Sequence, residues 1–179
     1  MIYVIKIDHY LEQFPHGDNV PDRVGKLKQL VKKVCKEKSI KLITEEWCND
    51  ARESSLTGRT YTEDLAKELG VEYLFIDPER SERLALGIKI RSDIAKAHNI
   101  PYPNRLNTPE ENARLEALIN ETDDAKGSDK KREEYWLNKI IGHNGIAMST
   151  LLVCGYGHID SFIALLRSKG YSATEIPIT

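Results

Sequence analysis

The sequence of 179 residues contains few cysteines and no long apolar run. Its three cysteines, Cys35, Cys48 and Cys154, are odd in number and form no CxxC pair, which disfavours a disulfide scaffold or a structural zinc knuckle. No stretch approaches the roughly 20 apolar residues that a membrane-spanning helix needs. We therefore expect a cytoplasmic protein that does not use the membrane. The apolar segment 1–8 lacks the basic start of a signal peptide, so it is interpreted as a strand.

The chain also lacks a strong net charge and the common nucleotide and serine-hydrolase motifs. Lysine and arginine total 26 and aspartate and glutamate total 28, which gives a net charge of −2. Such a balance provides no overall attraction to nucleic acid or to an anionic membrane. Neither a GxSxG elbow nor a P-loop occurs, which argues against serine-hydrolase and P-loop NTPase chemistry.

What the sequence does contain is an alternation of short apolar strands with amphipathic helices. This alternation predicts βαβ crossovers and an α/β fold with a mostly parallel sheet of about four to five strands and helices on both faces. We expect a single domain over residues 1–179, with a flexible polar segment near residues 121–131. Strands are predicted over residues 2–7, 39–44, 71–76, 150–154 and 171–176.

Residues typical of helix starts occur in the segments between these strands. Thr62 is predicted to cap a helix over residues 63–69, and Pro78 is predicted to open one that ends near residue 86. Thr108 and Glu111 have the spacing of a capping box. Further helices are predicted over residues 21–38, 130–141 and 158–169.

Chemically active residues follow the predicted strands, where open α/β sheets bind their ligands. These are His9 after the first strand, Glu45 and Glu46 after the second, Asp77 after the third and His158 after the fourth. Imidazole together with carboxylate suits a divalent transition metal. The alternative is that both histidines are loop residues hydrogen-bonded near helix starts, and that Asp77 only caps the following helix.

Two further features lie near the end of the chain. Gly155 and Gly157 join a buried strand to a helix, where backbone N–H groups can approach an anion, although a tight turn explains the glycines equally well. Arg132 precedes Trp136 and Ile140 at helical spacing, so its guanidinium is placed either toward a site or in an ordinary salt bridge. Of Glu45 and Glu46, only one can easily face a common pocket, because adjacent strand residues point to opposite faces.

Four blocks in this order resemble the TraB/TIKI group of the erythromycin-esterase-like/ChaN-like superfamily. The blocks are I-K-I-D-H, L-I-T-E-E, K-R-E-E-Y-W-L-N-K-I and L-L-V-C-G-Y-G-H-I-D-S-F. The resemblance implies a metal-dependent hydrolase, acting in some members on peptides. It also implies that His9 and His158 are metal-site or catalytic histidines, that Glu46 or Glu45 is the strand-two carboxylate, and that Arg132 is an inward-facing arginine.

The leading hypothesis is therefore a metal-dependent hydrolase for a small-molecule or peptide substrate. His9, Glu46 and His158 would hold Mn, Co or Zn, while Glu45 or Asp77 would be the general base and Arg132 would steady developing charge. One alternative is a non-catalytic nucleotide- or anion-binding module that uses Gly155, Gly157 and Arg132 without a metal. Another is a protein-interaction partner, of the toxin–antitoxin kind, with a merely solvated polar edge. A homo-oligomer is compatible with each.

Overall fold

The structure, a computed structural model, describes residues 1–7, 22–49, 59–89, 91–100, 108–121 and 123–178. One sheet of five parallel strands forms its centre, in the order β3-β2-β4-β1-β5. This confirms the predicted α/β class. The strands are β1 (Ile2–Ile7), β2 (Leu42–Glu45), β3 (Glu72–Phe75), β4 (Thr150–Gly155) and β5 (Ala173–Ile176).

Helices connect the strands and extend the chain between β3 and β4. In chain order they are α1 (Asp22–Glu37), α2 (Tyr61–Leu69), α3 (Arg80–Leu86), α4 (Arg91–Ala97), α5 (Pro109–Glu121), α6 (Asp123–Gly142) and α7 (Ile159–Ser168). A single 3₁₀ turn, Tyr156–His158, links β4 to α7. Within the described ranges, no helix is both long and apolar enough to cross a bilayer.

Alternating residues of the strands supply two separate cores, one on each face of the sheet. On the first face, Leu152 and Cys154 of β4 pack with Trp136 and Ile140 of α6 and with Phe162 of α7. On the opposite face, α1 and α2 pack against the other set of alternating strand residues and form a second core. Its members include Leu27 and Val31 of α1, Leu65 of α2, Ile43 of β2, and Leu151 and Val153 of β4. Because β4 is buried on both faces, its sequence is an unbroken apolar run after Thr150, as expected of a central parallel strand.

Several predicted helix boundaries are corrected by the structure. The cap of α2 is Thr60, whose Oγ1 accepts the Glu63 N–H at 3.1 Å, and not Thr62. Helix α3 begins at Arg80 and not at Pro78. Helix α6 begins at Asp123 and not near residue 130. Alanine and lysine in the added stretch are good helix formers, which favours this earlier start.

The described chain divides into two compact units. The first comprises Met1–Glu79 and Glu133–Thr179 and contains the whole sheet. The second is Arg80–Arg132, with its own small core of Ile94, Ala95, Ile100 and Leu115. In this unit the Thr108 and Glu111 capping box is confirmed, since each side chain accepts the other residue's backbone N–H.

Candidate functional site at the carboxyl edge of the sheet

Glu46 and His158 come together where β2 and β4 end. The two strands are neighbours, and the Glu46 N–H continues their ladder by donating to the Val153 carbonyl at 3.0 Å. The short 3₁₀ turn after β4 then places His158 beside Glu46, with 3.6 Å between Nε2 and Oε1. Both side chains are buried, at 8% and 6% residual exposure. The structure thus joins two of the residues that the sequence assigned to a metal.

A second carboxylate, Glu133 of α6, lies on the other side of the same imidazole. Its Oε1 is 3.1 Å from His158 Nδ1 and also accepts the Ser161 hydroxyl at 2.6 Å. Glu133 is buried at 4% exposure. The sequence prediction gave this residue no role, although it lies seven positions before the buried Ile140 and shares that apolar helix face.

Trp136 connects Asp77 with His158. The Trp136 Nε1–H donates to Asp77 Oδ1 at 3.0 Å, and the indole lies edge-on to the His158 ring with 4.9 Å between centroids. Asp77 is held from the backbone as well, because its N–H donates to the Trp47 carbonyl at 3.0 Å. Asp77 therefore follows β3 as predicted, with a carboxylate oxygen engaged by an indole N–H from α6.

The two carboxylates beside His158 bear on the tautomer of a neutral ring. A neutral imidazole carries one N–H and therefore can donate to only one of the two flanking carboxylates. With the proton on Nδ1, the ring donates to Glu133 and its Nε2 lone pair faces Glu46.

Glu45 lies on the opposite face of the sheet from Glu46 and takes no part in this arrangement. Its Oε2 accepts hydrogen bonds from the Thr60 hydroxyl at 2.6 Å and from the Tyr73 hydroxyl. The side chain is fully buried, and burial raises its pKa, partly opposed by hydrogen bonds from Thr60, Tyr73 and Thr62. The face on which Glu45 lies belongs to the core of α1 and α2, which does not favour its predicted role as general base.

The backbone amide of Gly155, in the turn predicted to face an anion, already has a partner within the chain. The Gly155 N–H donates at 2.8 Å to Glu46 Oε2, so the anion that this amide binds is a carboxylate of the chain itself. Gly155 has a φ of −67°, and a Cβ added at Gly157 would meet nothing within 4 Å. Gly155 therefore has no positive φ, and lack of space does not require glycine at position 157.

For two of the predicted site residues, a role beside His158 stays a prediction. Arg132 belongs to the second compact unit, in which its Nη1 lies 4.0 Å from Asp129 Oδ1. His9 lies outside the described residues. Among those that are described, no three His, Cys, Asp or Glu side chains gather closely enough to hold a metal ion unaided. Glu46 and His158 are therefore a pair of candidate ligands, not a complete set.

Comparison with known proteins adds no relative. Searches against protein-family models, curated proteins and solved structures found no significant match to this chain.

Proposed function

We propose that the protein is a metal-dependent hydrolase whose ion is held by His158 Nε2 and Glu46 Oε1, with His9 as the predicted third ligand. The observation that carries the proposal is the buried imidazole between two buried carboxylates at the carboxyl edge of the sheet. The donor set of one imidazole nitrogen and one carboxylate oxygen suits Mn, Co or Zn. The 3.6 Å that separates the two atoms is compatible with ligands of a single ion.

Glu133 has the role of a positioning residue in this proposal. Metal-ligating histidines commonly donate their other ring N–H to a carboxylate, which fixes the tautomer and the ring orientation. Glu133 Oε1 is placed for this at His158 Nδ1, and Ser161 in turn holds Glu133 by its hydroxyl. The lone pair on Nε2 is thereby directed toward Glu46.

When bound, a divalent ion would activate a water molecule and polarise the carbonyl or phosphoryl oxygen of a substrate. The protein's own part is to exclude bulk water with Trp136 beside His158 and to supply a base. Asp77 is the candidate base, because it follows β3 and contacts Trp136, which in turn contacts His158. Arg132 remains the predicted partner of developing negative charge. The resemblance to the TraB/TIKI group favours a peptide substrate.

Metal uptake by the full chain tests the proposal. Native mass spectrometry with added Mn²⁺, Co²⁺ or Zn²⁺ should show one bound ion per chain, removed by a chelator. His158→Ala and Glu46→Gln should each lose most of this uptake, since each removes a proposed ligand. His143→Ala is the matched control, because His143 pairs with Glu72 at 3.0 Å on an exposed surface. Uptake that is unchanged in the His9→Ala, His158→Ala double variant would exclude the assignment.

A chelator-sensitive hydrolytic activity is the second requirement. Peptide and ester substrates should be cleaved by the metal-loaded protein, and Asp77→Asn should lower kcat while metal uptake is retained. If Asp77→Asn leaves kcat unchanged, another group is the base. A protein that binds the metal but cleaves neither substrate class would not be the proposed hydrolase.

A further inference from the structure

The second compact unit contains a cavity that the proposed hydrolase does not use. Its volume is about 630 Å³, within the range of roughly 300–1,000 Å³ typical of small-molecule sites. Its lining residues come from α3, from α4 and from positions that directly follow each of these helices. Ile88 and Ile94, at 3% and 6% exposure, supply its buried apolar lining.

The wall contributed by α3 is apolar and unusually exposed. None of the residues of this helix is buried, and Leu84, which lines the cavity, is 71% exposed. Leu86 on the same helix is 42% exposed. Covering an exposed aliphatic side chain with an apolar ligand removes apolar surface from water, which contributes favourable binding free energy.

The polar groups around this apolar surface are mostly cationic. Lys89 and Lys96 line the cavity together with one carboxylate, that of Asp93, and with His98. Lys131 Nζ approaches the same cavity, because it would lie 3.4 Å from a Cβ added at the lining residue Gly87. Among the described side chains at this cavity, three ammonium groups stand against one carboxylate, an excess of positive charge. An anionic headgroup is therefore complementary to it.

From these two properties we infer that the cavity binds an amphipathic carboxylate, a small molecule with an aliphatic body and one anionic end. The aliphatic part lies against Leu84, Ile88 and Ile94, and the carboxylate is paired by Lys96 and Lys131. This site is independent of the metal and of the hydrolytic chemistry proposed for the first unit.

Calorimetric titration of the full chain with decanoate, and with decanol as the uncharged analogue, tests the inference. Leu84→Gln should weaken both ligands by roughly tenfold, because it removes apolar contact from each. The double variant Lys96→Gln, Lys131→Gln should weaken decanoate by roughly threefold and leave decanol unchanged. Lys67→Gln, an exposed lysine on α2, is the matched control for loss of a positive charge.

Because Leu84 and Lys96 are exposed, these variants should retain the fold, which circular dichroism will verify. The inference is overturned if decanoate does not bind at millimolar concentration, or if binding is the same in all variants. It is also overturned if the exposed leucines instead join two copies of the chain. Sedimentation would then show a dimer that is dissociated by Leu84→Gln but not by added decanoate.

Discussion

Glu45 and Glu46 are consecutive in the chain, yet their carboxylates lie on opposite faces of the sheet. Glu45 contacts Thr60 and Tyr73 on the face of α1 and α2, whereas Glu46 contacts His158 and the Gly155 amide on the face of α6 and α7. The two-residue period of a strand imposes this separation. Substitution of the two glutamates should therefore have unrelated effects.

Glu45→Gln should change the pH dependence of stability. Because burial raises the pKa of Glu45 above its ordinary value of 4.5, the folded state binds this proton more tightly than the unfolded state does. The resulting stabilisation is complete below the ordinary pKa and is lost as the pH rises through the folded-state pKa. Relative to wild type, the free energy of unfolding of Glu45→Gln should thus increase as the pH rises from the ordinary pKa of 4.5 through neutral pH.

Urea denaturation across this pH range measures the difference in unfolding free energy. Glu134→Gln, an exposed residue of α6, serves as the control and should follow wild type at every pH. A constant difference between Glu45→Gln and wild type would mean that Glu45 keeps an ordinary pKa in the folded protein.

Glu133→Gln should weaken metal binding without removing a ligand. The amide keeps the shape of the side chain but loses the charge that favours a proton on His158 Nδ1, and such partners typically affect metal affinity by about 10- to 100-fold. Isothermal titration with the metal that native mass spectrometry identifies gives the affinity, with Glu134→Gln again as the control. If the affinity of Glu133→Gln equals that of wild type while His158→Ala loses the metal, Glu133 does not position His158.

Glu133, for which no role was predicted, lies beside His158, and its position on the helix explains why the sequence pattern did not reveal it. Arg132 precedes Trp136 and Ile140 by multiples of four residues, and each such step drifts about 40° around a helix. Glu133 lies seven residues before Ile140, a separation of only about 20°, and so falls near the middle of the buried face. A carboxylate within the apolar face of a helix indicates a functional residue, and a comparison of residues exactly four apart does not detect it.

Trp136→Phe should destabilise the protein more than Trp47→Phe does. The first substitution keeps a ring beside His158 and Phe162 but removes the hydrogen bond to buried Asp77, a loss of about 1–3 kcal/mol. Trp47 is also buried, but within the described residues its Nε1 has no hydrogen-bond partner. Both substitutions remove a similar volume, so the difference between their unfolding free energies reports the hydrogen bond. Equal values would indicate that the Asp77 contact contributes nothing.

Gly145→Ala should be destabilising because the position has no space for a side chain. An added Cβ would lie 2.8 Å from Leu42 Cδ2, 2.9 Å from Ile140 Cγ2 and 3.1 Å from the Ile140 carbonyl oxygen. Overpacking of this kind typically lowers the free energy of unfolding by about 1–3 kcal/mol. Gly142→Ala, with nothing within 4 Å of the added atom and no positive φ, should instead be neutral or stabilising. Thermal denaturation of both variants distinguishes these cases, and an unaltered melting temperature in Gly145→Ala would contradict the expected clash.

The parts of the fold that the sequence predicts well are those decided by local pattern. Strand β1 has the predicted bounds, because a run of β-branched and aromatic residues ends at Asp8. Strand β2 begins later than its apolar pattern predicts. Ile40 is buried like a strand residue, but the strand pairing begins only at Leu42. The order of the strands and the contact of Glu133 with His158 depend on packing between distant segments, which no local pattern encodes.

Because β4 lies between β1 and β2, the complete sheet can form only late in synthesis of the chain. No ladder joins β1 to β2 directly, since each pairs with β4 on its inner side. The ribosome must therefore release more than 150 residues before the two halves of the sheet can meet. Until then the inner edges of β1 and β2 remain unpaired, so nascent chains halted before β4 should be the ones that engage chaperones.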